Sequence, residues 1–121
     1  MSKASMTTII VNTSFEGFHR YENAPEEVSF LRDVHRHIFH VNVEIEVFHD
    51  DRELEFILVK RRLDQFIKNH DSSLNSSCEQ IGESICQYLT EQYGERKIIC
   101  TVMEDQENGG RVYYGFEWEN R

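Results

Sequence analysis

A chain of 121 residues has room for one domain with a real core, and little room for a deep active site. Its net charge of −9 argues against a nucleic-acid partner, because phosphate contacts need clustered cations. The one basic cluster, Lys60-Arg61-Arg62, reads as the solvated face of a helix. No apolar run approaches the roughly 18 residues of a membrane span, and Met1 to Ser5 lacks signal-peptide character. Three cysteines without a CxxC pair (Cys78, Cys86 and Cys100) suit buried thiols in a reducing cytoplasm better than a disulfide framework.

Thr7 to His19 reads as a first strand, with Ile9, Val11, Thr13, Phe15, Gly17 and His19 on one face. Tyr21 to Asp33 is a long polar connection holding the single proline, Pro25, and loops of that length in small domains are often functional. His35 to Phe48 alternates strictly and predicts a second strand, ended by the turn-like Asp50-Asp51. From Phe56 to about Asn69 the period becomes helical, with Phe56, Val59, Leu63, Phe66 and Ile67 on the apolar face. Asp71 to Asn75 reads as a loop. Ser77 followed by Gln80 then predicts a capping box opening a second helix. Its stripe is Cys78, Ile81, Ile85, Tyr88 and Leu89, and Gly94 ends it. Lys97 to Glu104 is a third strand, Asn108-Gly109 a hairpin-turn signal, and Arg111 to Trp118 a fourth strand. The order β-β-α-α-β-β predicts an α+β domain: a four-stranded antiparallel sheet with two helices on one face. Its long strands leave edges that proteins commonly pair between subunits, which predicts a homo-oligomer.

The chemistry concentrates where the first two strands meet. His35 and His37 share the apolar face of their strand, and His19 ends the antiparallel partner. Directly opposed residues in such a pair have Cβ atoms about 4.5–5.5 Å apart, so three imidazoles can converge on one ion. Three histidines with an open fourth position describe a catalytic zinc site. The alternative is a set of half-buried strand histidines with no ligand.

Five segments, in order, resemble the 6-pyruvoyltetrahydropterin synthase family, which includes bacterial 6-carboxytetrahydropterin synthase. Phe15-Glu16-Gly17-Phe18-His19-Arg20 is similar to the family's F-x-x-x-H-R, and His35-Arg36-His37 with its following strand to H-G-H. Leu54-Glu55-Phe56 up to Lys60 is similar to D-F-x-x-L-K, and Asn75-Ser76-Ser77-Cys78-Glu79 to N-P-T-S-E. Val102-Met103-Glu104 falls where the family has a glutamate ending its third strand. The resemblance spans about Asn12 to Phe116. It implies the tunnelling fold, in which subunits join their sheets into a barrel, as a homo-oligomer (a hexamer in the family). It also implies a zinc cofactor held by His19, His35 and His37, and a pterin-type ligand bound through Glu104. The implied reaction is elimination of triphosphate from 7,8-dihydroneopterin triphosphate. In the bacterial branch a two-carbon fragment is also lost, on the way to 7-deazaguanine bases.

The chain departs from that pattern at the catalytic residues. Leu31 stands where the family has its catalytic cysteine, four residues before the first histidine of the pair. Candidate replacements are Asp33, Glu26 and Glu27 in the connection, and Cys78 at a helix N-terminus, where the dipole favours a thiolate. The family's aspartate–histidine relay is represented only by His70 and Asp71, in reversed order. Arg36 replaces the glycine between the metal histidines, and Asp105 stands where a threonine is usual. Arg20, Arg32 and Arg36 lie near the histidines in sequence and are the candidates to offset a triphosphate in so acidic a protein. Three functions follow: a divergent zinc-dependent lyase, a zinc- and pterin- or purine-binding protein of the same fold without turnover, or an oligomeric scaffold in which zinc only stabilises the barrel.

Overall fold

The computed structural model describes residues 3–70 and 76–117. Strand β1 runs Thr7–His19 and β2 His35–Val47; helices α1 (Phe56–Asn69) and α2 (Cys78–Tyr93) follow, then β3 (Ile98–Glu104) and β4 (Asn108–Tyr114). All neighbouring strands are antiparallel, in the order β1-β2-β3-β4, so β1 and β4 form the edges of an open sheet. The domain is α+β, as the alternating and helical periods predict.

Register decides which residues enter the core. Val11 faces Val43, Val43 faces Cys100 and Cys100 faces Val112, so one sheet face is apolar across all four strands. Phe39, Val41, Val43, Ile45, Ile98, Cys100 and Val102 are buried there under Val59 and Leu63 of α1 and Ile81, Ile85 and Leu89 of α2. Asn12, Asn42 and Glu44 lie on the opposite face, where the Asn42 amide donates to Asn12 across the ladder at 2.7 Å. The helix that caps most cleanly is α2. Ser77 Oγ accepts from the Gln80 amide at 3.1 Å, and Gln80 Oε1 accepts from the Ser77 amide at 2.9 Å. Gly94 closes that helix with φ of +85°, a conformation side-chain-bearing residues rarely adopt. The three cysteines are buried and unpaired.

The structure corrects four expectations. The connection between β1 and β2 contains a short 3₁₀ segment, Glu26–Arg32, kinked at Val28. Arg32 pins it by donating twice to the Ala24 carbonyl, at 2.8 and 3.0 Å, and the Ala24 side chain is buried. Phe56 opens α1 but is 53% exposed, so its helical phase puts it beside the core rather than in it. Asn108 and Gly109 lie inside β4, not at the turn. The chain reverses instead at Asp105 and Gln106, with φ of +52° and +61°, closed by the Glu107 amide donating to the Glu104 carbonyl at 2.9 Å. Close strand approach explains the shift. A Cβ at Gly109 would lie 2.0 Å from the Val102 carbonyl oxygen, so the glycine is needed in the ladder itself. The fourth strand ends at Tyr114, and Trp118 lies outside the described residues. So does the expected Asp71–Asn75 loop.

Candidate metal centre

The register of β1 and β2 brings the three histidines together. His19 pairs directly with His35, and His37 pairs with Gly17, so no side chain stands across from His37 on the shared face. Ring centroids are 4.6 Å apart for His19–His35, 4.8 Å for His35–His37 and 5.2 Å for His19–His37, all edge-to-face. Phe39 packs edge-on against His19 at 5.2 Å and stacks on Phe15 at 5.1 Å, giving the cluster an aromatic floor. One ring nitrogen from each histidine lies within 4.8 Å of the other two. Three nitrogens on a tetrahedral zinc with bonds of about 2.0–2.1 Å lie about 3.4 Å from one another. Seating an ion therefore means drawing the ring nitrogens together by up to about 1.4 Å.

Hydrogen bonding fixes which nitrogen faces inward. Nδ1 of His19 lies 3.3 Å from the Ser76 carbonyl, Nδ1 of His35 lies 2.8 Å from the Asp33 carbonyl, and Nδ1 of His37 lies 2.5 Å from Oδ2 of Asp105. All three partners only accept, so each Nδ1 donates and Nε2 is the nitrogen turned inward. Glu104 joins them. Its Oε1 lies 3.1 Å from His19 Nε2 and its Oε2 lies 3.5 Å from His37 Nε2. Among the described residues, His35 Nε2 is the buried side-chain nitrogen or oxygen left without a hydrogen bond. With Nε2 unprotonated, the three nitrogens and Glu104 face one another as acceptors in a partly buried site, a repulsion that a cation among them relieves. The donor set fits zinc.

Burial pushes His19 below the ordinary imidazole value of 6.5, outweighing the Ser76 bond and the charge of Glu104. Its neutral, ligating form is thereby favoured. Asp105 is held below its ordinary value, first by the bond from His37 and then by the Ile38 amide.

The candidate proton carriers are less well placed. Leu31 offers only its backbone carbonyl, which accepts from the Tyr21 amide at 2.7 Å. Cys78 does reach the centre, with Sγ 3.9 Å from Glu104 Oε1. However, burial and the neighbouring Glu104 and Glu79 charges push its thiol up to about 11. The helix dipole does not overcome that, so Cys78 is a thiol that donates and not the thiolate its position at the N-terminus of α2 suggests. The Asp33 side chain is exposed, and its contribution is the backbone bond to His35. His70 stacks on Phe66 at 4.7 Å on the exposed end of α1, its Nδ1 3.1 Å from the Phe66 carbonyl; Asp71 lies outside the described residues. Glu26 is paired with Arg32 and Glu27 is exposed. Each expected arginine also has a carboxylate partner: Arg20 with Glu22 at 2.6 Å, Arg32 with Glu26 at 3.2 Å and Arg36 with Glu16 at 3.0 Å. The residue whose role the sequence did not show is Asp105, noted there only as standing where a threonine is usual; the fold makes it the partner of His37.

No helix of the described residues is long and apolar enough to cross a membrane. Comparison of the sequence with protein-family models and with curated proteins finds no match.

Proposed function

We propose that this chain is a zinc-dependent lyase of the 6-pyruvoyltetrahydropterin synthase type, acting on 7,8-dihydroneopterin triphosphate or a related pterin. The observation that supports it is the convergence of three histidine ring nitrogens, each ring held by an acceptor at Nδ1, at the place where the family resemblance puts the metal. Bound at these nitrogens, zinc supplies the Lewis acidity that makes protons beside a substrate hydroxyl or carbonyl labile. Glu104 accepts hydrogen bonds from the ring N–H and exocyclic amine of the pterin, a bidentate pairing that fixes orientation as well as affinity. The Cys78 thiol, donating to Oε1, holds that carboxylate at the end of β3. The free edges of β1 and β4 pair with other copies, closing the open sheets into the barrel of a homo-oligomer.

A second reading is favoured by specific observations: Leu31 in place of the cysteine, the raised thiol of Cys78, and arginines already occupied by glutamates. In it, the same centre binds zinc and a pterin or purine without turnover. Mass spectrometry of products after incubating zinc-loaded protein with dihydroneopterin triphosphate separates the two. A 6-pyruvoyl or 6-carboxy product establishes the lyase. Intact substrate, with calorimetric binding that Glu104→Gln abolishes while zinc is retained, establishes the binding protein. Absence of both turnover and binding refutes the pterin assignment.

A further inference from the structure

The three histidines differ in what holds their outer nitrogens. His19 and His35 bond to backbone carbonyls, whereas His37 bonds to a carboxylate, that of Asp105. Both oxygens of that carboxylate are committed. Oδ2 accepts from His37 Nδ1 at 2.5 Å and Oδ1 accepts from the Ile38 amide at 2.9 Å. The Asp105 amide in turn donates to the Ile38 carbonyl at 2.8 Å, so residue 105 is tied to β2 by backbone and side chain together. Its φ of +52° lies in the left-handed region, which aspartate tolerates better than most side chains. The turn therefore adopts an uncommon conformation that delivers a carboxylate to one ring nitrogen.

We propose that Asp105 is a positioning residue of the metal centre: it locks His37 in the Nδ1–H tautomer and makes its inward Nε2 a stronger donor toward the ion. This rests on the metal reading above. A carboxylate behind a ligating imidazole fixes ring orientation and raises ligand basicity, and removing such a partner typically costs about 10–100-fold in metal affinity. A purely structural Asp105 would need only its bond to the Ile38 amide. The two roles separate in Asp105→Asn, because an asparagine has one acceptor oxygen where the aspartate uses two. If that oxygen keeps the Ile38 bond, the amide NH₂ faces His37 Nδ1 and favours the tautomer whose Nε2 carries a proton and cannot ligate.

The experiment measures zinc affinity of the full-length protein by competition with a chromophoric chelator, beside the melting temperature of the metal-free form. Wild type should bind zinc. Asp105→Asn should bind it about 10–100-fold more weakly, with a metal-free melting temperature close to wild type. Asp105→Gly, suited to the positive φ and lacking both acceptors, should weaken zinc binding to a similar degree. In the zinc-loaded wild type, the His37 Nδ1 proton should give a downfield NMR resonance that both variants lose. Zinc affinity of Asp105→Asn within twofold of wild type overturns the inference while leaving the metal centre intact. A wild-type protein that takes up no zinc overturns both.

Discussion

Gly109→Ala tests how the hairpin between β3 and β4 carries the site. The added Cβ would sit 2.0 Å from the Val102 carbonyl oxygen and 2.7 Å from the Met103 Cα, both backbone atoms with no rotamer to yield. Real Cβ atoms essentially never approach closer than 3.0 Å, so the strands must part by about 1 Å at the Met103–Gly109 pair. Such overpacking costs about 1–3 kcal/mol, and one or two weakened ladder bonds add about 1 kcal/mol each. A total of about 3 kcal/mol, at about 4 °C per kcal/mol for a domain of this size, lowers the melting temperature by about 12 °C. The neighbouring Gly110→Ala is the control. Its Cβ meets the Glu79 side chain at 2.9 and 3.0 Å and the Glu79 amide nitrogen at 3.3 Å, and a surface glutamate can swing aside. It should cost less than half as much. Melting followed by circular dichroism gives the stabilities, and chelator competition should show weaker zinc binding in Gly109→Ala, because Glu104 and Asp105 ride on the displaced turn. Equal melting temperatures for the two variants, or Gly109→Ala within about 2 °C of wild type, would refute the reasoning.

Two further outcomes follow from charge and burial. Arg96, with a side chain 7% exposed, donates to Glu53 Oε1 at 2.9 Å, to the Glu46 carbonyl at 3.0 Å and to the Tyr93 carbonyl at 3.0 and 3.2 Å. Arg96→Met should cost about 3 kcal/mol in urea denaturation, because it strands acceptors in a part-buried site. It should also flatten the acid limb of stability. Arg96 holds the Glu53 carboxyl below its ordinary value of 4.5, so that contribution is present above pH 4.5 and is lost as pH falls. His19 acts in the neighbouring window. Its folded value lies below 6.5, so the unfolded chain binds the proton first and stability of the metal-free protein falls as pH drops below 6.5. His19→Gln, melted in chelator between pH 5 and 7, should show a shallower slope than wild type. An unchanged slope would assign the titration to another group.

The sequence by itself determined the element order and most boundaries. β1 ends at His19, α1 spans Phe56–Asn69 and α2 is boxed by Ser77 and Gln80, each as periodicity and capping predict. It also anticipated the meeting of His19, His35 and His37, because a period of two puts all three on the apolar face and the connection joins the two strands at that end. Tertiary structure decided the rest. The turn signal Asn108-Gly109 yielded to Asp105-Gln106, because close contact with Val102 needs a glycine inside the ladder. That displacement made Asp105 the partner of His37, a contact between residues 68 apart in sequence that no local pattern encodes. Cys78 illustrates the same limit. A helix N-terminus is legible in sequence, whereas the burial and the Glu104 charge that keep its thiol protonated come from a strand 26 residues away. Periodicity specifies which face a residue takes, and the chemistry of a site depends on which distant groups share that face.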